Sequence, residues 1–181
     1  MKKQLLILVL FMGLFSAVNA QDKKMFAGVN LGFSSDDAHS SFNIGPRLGY
    51  WLSDNMALVG GVSYQSNKNK TTDITLSTFG IGAQLRYGWH HGDNTFFYLA
   101  PGVLFQSASS DVTGSESETT ITIALTPGVN YMLGDRWSIN AEIGLLEFVS
   151  TSQGDVSDSH FAVSTQMFPE NGLTFGLWYH F

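Results

Sequence analysis

The chain has 181 residues, fifteen acidic and nine basic side chains, five histidines and no cysteine. A formal charge of −6 at pH 7 argues against nucleic acid as a partner. Without a thiol, disulfides, cysteine nucleophiles and Cys-ligated zinc or iron–sulfur centres are excluded.

The first element is a leader. Met1 to Ala20 opens on Lys2-Lys3, runs through QLLILVLFMGLFSAV and closes on Asn19-Ala20. A basic start, an apolar run and a small final residue predict a secretory signal peptide over 1–20, cut before Gln21. The run is shorter than the roughly 20 apolar residues of a spanning helix. Residues 21–181 then form one domain, with seven basic residues left against fifteen acidic ones.

From Met25 onward apolar residues recur at every second position, the period of a strand. The first run carries Met25, Ala27, Val29, Leu31 and Phe33 against Phe26, Gly28, Asn30 and Gly32. The second carries Phe42 to Leu52 at even positions against Asn43, Gly45, Arg47, Gly49 and Trp51. The third sets Met56, Leu58, Gly60, Val62 and Tyr64 against Ala57, Val59, Gly61, Ser63 and Gln65. The fourth sets Phe79 to Tyr87 at odd positions against Gly80, Gly82, Gln84 and Arg86. The fifth sets Phe97, Leu99, Pro101, Val103 and Phe105 against Phe96, Tyr98, Ala100, Gly102, Leu104 and Gln106. The sixth sets Ile121 to Tyr131 against Thr122, Ala124, Thr126, Gly128 and Asn130. The seventh sets Trp137, Ile139, Ala141, Ile143 and Leu145 against Ser138, Asn140, Glu142, Gly144 and Leu146. The eighth is the closing stretch NGLTFGLWYHF, apolar at Leu173, Phe175, Leu177, Tyr179 and Phe181.

One face is uniformly large and apolar, whereas the other is Gly, Ser, Thr, Asn and Gln with few charges. A soluble sandwich would show a charged face to water. The inverse pattern predicts an all-β protein, an eight-stranded antiparallel transmembrane β-barrel with lipid outside and a narrow polar interior. Connections alternate in length. Ser53-Asp54-Asn55, HHGDN (90–94) and Gly134-Asp135-Arg136 are short, as periplasmic turns are. SSDDAHS (34–40), SNKNKTTD (66–73), SASSDVTGSESE (107–118) and a stretch from about Ser150 are read as long external loops. The last, 150–171, is long for one loop, and the weak alternation of HFAVSTQMF would extend strands seven and eight above the membrane. Trp51, Trp89, Trp137 and Trp178 lie by the short turns or the C-terminus, near Tyr87 and Tyr131. They are read as the periplasmic aromatic girdle.

Arg47, Arg86 and Glu142 take inward parity, so they should pair as a lumen charge network, either a plug or a constriction. Pro46, Pro101 and Pro127 fall inside strands, where each must break a ladder bond or sit at a bulge. His90-His91 is a poor metal site, since two adjacent histidines in a turn cannot both point one way and only Asp93 lies near as a third ligand. No cofactor is expected. The acidic loop residues, Asp36, Asp37, Asp111, Glu116, Glu118, Asp155 and Asp158, read as a solvated surface.

The leader, the eight alternating strands, the short turns and the terminal LTFGLWYHF resemble the small OmpX/OmpA-type outer-membrane barrels. The resemblance implies a monomer in the outer membrane of a Gram-negative-type bacterium, in contact with the lipid bilayer and lipopolysaccharide. It also implies that the barrel-assembly machinery recognises the last strand, with Tyr179 and Phe181 as the insertion signal. The expected function is non-enzymatic: a structural or surface-interaction role through the external loops. A narrow porin-like channel is the alternative. A lipid-modifying enzyme is a further one, with His39 and Ser41 at the i, i+2 spacing of one strand face.

Overall fold

The computed structural model describes residues 24–35, 37–112, 117–144, 146–154, 156–162 and 173–181. The predicted leader lies outside the described residues, as do 163–172. Ten strands follow in chain order: β1 (Met25–Ser35), β2 (His39–Ser53), β3 (Met56–Asn69), β4 (Ile74–His91), β5 (Thr95–Ser110), β6 (Glu118–Met132), β7 (Trp137–Ile143), β8 (Leu146–Gln153), β9 (Val156–Ala162) and β10 (Leu173–His180).

Among the described residues all strand pairings are antiparallel. Neighbours run from β1 through β6, and β6 then pairs with both β7 and β8. β7 and β8 are therefore two parts of one stave. β9 lies beside β8 and β10 beside β7, forming the last stave. β10 returns to β1, with Phe26 opposite His180 and Asn30 opposite Gly176, and closes an eight-stranded barrel. Closure through β1 and β10 removes the edge there, the way a sheet satisfies its backbone in hydrocarbon; beyond it, among the described residues, β9 is paired with β8 alone.

The large apolar residues face out, as the alternation predicts. Leu31, Leu58, Phe79, Ile81, Ile123 and Phe175 are exposed, whereas Asn30, Asn43, Gln65, Gln84, Thr122 and Asn140 are buried. In a membrane protein this is the expected sense, because lipid replaces water at the wall.

Three departures from the sequence reading have local causes. First, the strands run on into the segments read as long external loops. β1 reaches Ser35, β3 reaches Asn69, β5 reaches Ser110, and only short tips remain. The stretch from Ser150, by contrast, extends the seventh and eighth staves as its weak alternation suggests, with Ser150 opposite Ser159. Serine and threonine there keep the alternation while turning its outward face polar.

Second, the alternation of the seventh stave breaks. Gly128 faces Glu142, but Leu125 faces Leu146, so three steps on β6 match four on the other side. The extra residue is a β-bulge, and it inverts parity. Leu146 therefore shares the outward face of Leu125, and Glu147 pairs with the inward Ala124.

Third, the prolines are accommodated in two ways. Pairing between β2 and β3 lapses from Ile44 to Arg47 and resumes in the same register, so Pro46 sits in a gap without a slip. Pro101 sits in the same kind of gap between β4 and β5. Pro127 lies opposite the bulge between β7 and β8. Each missing N–H thus falls where no ladder bond is made.

Candidate functional site in the barrel lumen

Strand parity brings five polar side chains together inside the barrel. Arg47 comes from β2, Gln84 and Arg86 from β4, Tyr98 from β5, and Glu142 from β7. Glu142 is 2 % exposed and lies at the centre. Its Oε2 accepts from Arg47 Nη1 at 2.7 Å. Its Oε1 accepts from Arg86 Nη2 at 2.8 Å, from Gln84 Nε2 at 2.9 Å and from the Tyr98 hydroxyl at 2.8 Å. Asn140 Nδ2 donates in turn to the Tyr98 oxygen at 2.6 Å. A buried carboxylate is costly unless its lone pairs are met, and here both oxygens are. The alternation picked out Arg47, Arg86 and Glu142. It did not single out Gln84, Tyr98 or Asn140, whose inward parity carried no charge to flag them.

Towards the short-turn end the lumen is filled by rings. Phe26 lies 5.3 Å from Trp178, 5.6 Å from Trp51 and 5.4 Å from His180, centroid to centroid. Trp51 also meets Phe96 edge-on at 5.0 Å, and His90 packs on Phe96 at 4.9 Å. The Arg86 guanidinium lies 4.7 Å from the ring centroids of both Tyr98 and Trp178, so its second interaction is cation–π.

Four of the large inward groups fit because each lies over a glycine on the neighbouring strand. Trp178 is paired with Gly28, Phe26 with Gly49, Tyr98 with Gly128, and Arg47 with Gly61. A Cβ on any of the four glycines would overlap the facing side chain. Cross-strand pairs of this kind both fill space and pin register.

The tryptophans divide. Trp89 and Trp137 are on the outer wall, 59 % and 48 % exposed, with Tyr87 and Tyr131 also outward. Trp178 is only 1 % exposed and belongs to the interior, with Trp51 packed beside it through Phe26. Assigning all four to the girdle on position alone overlooked that parity sends Trp51 and Trp178 inward. A second outward aromatic set, Phe42, Tyr64, Phe79, Phe105 and Phe161, lies nearer the other strand ends and was not foreseen.

At the terminal strand, Tyr179 stacks edge-on against Trp137 at 5.0 Å and against Phe181 at 5.2 Å, and accepts from Arg136 Nη1 at 2.9 Å. The Phe181 amide donates to Met25 O at 2.9 Å, tying the last residue to the first strand. His39 and Ser41 share the inward parity of Asn43 at the far end of β2, so they do not face the lipid wall. His90 Nε2 lies 2.9 Å from Asp54 O, a contact within the turn region. Among the described residues no group of three or more His, Asp or Glu could hold a metal ion.

A closed barrel with an apolar outer wall and a polar, packed bore defines an integral outer-membrane protein. The chain belongs to the outer membrane protein beta-barrel domain family, which it matches over residues 6–181. No curated protein matches it. Among solved structures it is similar to Neisserial surface protein A (NspA). That likeness is at 19 % identity with a TM-score of 0.55, over 87 % of this chain and 96 % of that one. The outer membrane protein Ail of Yersinia pestis, in a phospholipid nanodisc, is 12 % identical with a TM-score of 0.49, over 88 % of this chain and all of that one. At such identities the likeness concerns the fold alone. The protein resides in the bacterial outer membrane.

Proposed function

We propose that the protein is a sealed, non-enzymatic barrel whose work is done at its external face by the strand ends and loop tips. The observation that carries this reading is the two-layer filling of the bore. Rings of Phe26, Trp51, Phe96 and Trp178 form one layer, and the Glu142 cluster forms the other. An eight-stranded barrel has an interior that side chains can just fill. Arg47, Arg86 and Glu142 act here as a structural plug. The strands that continue past the bilayer support the surface role, since they hold their tips on a paired sheet. The bilayer and lipopolysaccharide are the proposed surroundings. The assembly machinery is the proposed reader of Tyr179 and Phe181, and the barrel works as a monomer, with Tyr87, Trp89, Tyr131 and Trp137 as its periplasmic girdle.

Conductance in a planar bilayer tests this, on protein whose folding is shown by a gel shift on boiling. A silent bilayer is expected. Repeated discrete current steps would overturn the sealed barrel in favour of a narrow pore lined by the same three charges.

A further inference from the structure

On the outer wall, β2, β3, β4 and β5 enclose an apolar groove of about 760 Å³. Its floor is Gly60, paired with Leu48 on one side and Ala83 on the other. Leu58 and Val62, exposed and two residues to either side of Gly60, form its flanks along β3.

Gly60 is anomalous. Among the described strand residues it is the one glycine with outward parity. The inward glycines that hold Trp178, Phe26, Tyr98 and Arg47 cannot take a side chain. At Gly60 a Cβ would meet only the Gly82 carbonyl oxygen, at 3.8 Å, an ordinary contact. Internal packing therefore does not require glycine there. A strand glycine often marks a bulge, a bend or close approach by a ligand, and β3 passes Gly60 in unshifted register with both neighbours, which favours close approach from outside the chain.

We propose that the groove is a binding site for one acyl chain of a periplasmic-leaflet phospholipid. The wall around it faces hydrocarbon, so its occupant must be apolar. Its length fits: from Leu58 to Val62 a strand rises about 13 Å, close to half of the roughly 30 Å hydrocarbon core. Its lower end is marked by Tyr50, exposed and paired with Leu58 in the last residues of β2 before Asp54-Asn55, and a ring with a hydroxyl suits the headgroup boundary. The volume lies in the range of built small-molecule sites.

The test uses the full barrel in phosphatidylethanolamine vesicles containing a phosphatidylcholine with a diazirine in its acyl chain. After illumination, the labelled peptides are mapped by mass spectrometry. Label should concentrate on β2–β4. Gly60→Leu should lower it there on the order of threefold, through loss of a handful of carbon–carbon contacts, with label elsewhere unchanged. If Gly60→Leu fails to give the gel shift, Ala83→Leu fills the same groove and is read the same way. Even labelling around the wall, or labelling unchanged in the filled variant, would overturn the proposal. Cross-links from the groove to a second barrel would also overturn it, in favour of a dimer contact.

Discussion

The two halves of the lumen are built on opposite plans. The half near the short turns uses few, large groups: Phe26, Trp51, Phe96, Tyr98 and Trp178 around one carboxylate that accepts from four side chains. The other half mixes small residues, such as Ser63, Gly80, Gly82 and Thr122, with single larger ones, Gln65 and Leu104, and has no carboxylate at its centre among the described residues. Gln65 donates to Asn67, and Thr120 meets Thr151 across a strand pair at 3.3 Å. A single residue therefore matters more in the first half than in the second. The first concentrates its energy in a buried ion cluster, while the second spreads it along the ladder.

That contrast can be broken at Glu142. Glu142→Gln removes the carboxylate that both guanidinia contact and leaves buried positive charge behind. A loss of about 3 kcal/mol or more is expected in urea unfolding of the lipid-inserted barrel, because breaking a buried pair is dear. The other half supplies the control. Thr120→Val removes one hydroxyl contact on the sheet and should cost about 0.5 kcal/mol or less in the same assay. Equal effects at the two sites would dissolve the distinction.

The smallest effect lies outside the bilayer. Lys68 Nζ is 2.6 Å from Asp73, and its hydrogen bond and charge hold the Asp73 carboxyl below its ordinary 3.8. A carboxyl depressed in the folded state adds stability above its unfolded pKa and loses it as the pH falls through the folded value. Acidification below 3.8 should therefore release this tip, while the exposed pair leaves global unfolding unchanged within error. Amide exchange at Lys70–Thr72, followed from pH 6 to about 3, would show it.

Much of this was legible in the sequence, because a barrel wall has a strict period of two. Arg47, Arg86 and Glu142 are 39 to 95 residues apart, yet parity alone put them on one face. What parity could not supply was register. Only the pairing shows that Trp178 covers Gly28 and Tyr98 covers Gly128, since opposite partners depend on turn lengths and slips. The bulge after Ile143 is marked only by Gly144, and in a chain with 19 glycines one more carries little signal. Unbroken alternation therefore put Leu146 on the wrong face. The run of strands into the serine-rich segments was missed for a different reason. Serine is common in loops, and its outward polarity there hides a continuing ladder.

The position of Glu142 has a consequence for how the molecule comes into being. Its partners sit on β2, β4 and β5, and Arg47 is 95 residues away along the chain. A flat, unrolled sheet holds β2 and β7 far apart, so the cluster exists only once the sheet has curled and its two ends have met. Contacts of such long sequence separation are the slow ones to form. The carboxylate thus works as a latch that is thrown last: it adds nothing to the early strands and rewards only the finished ring.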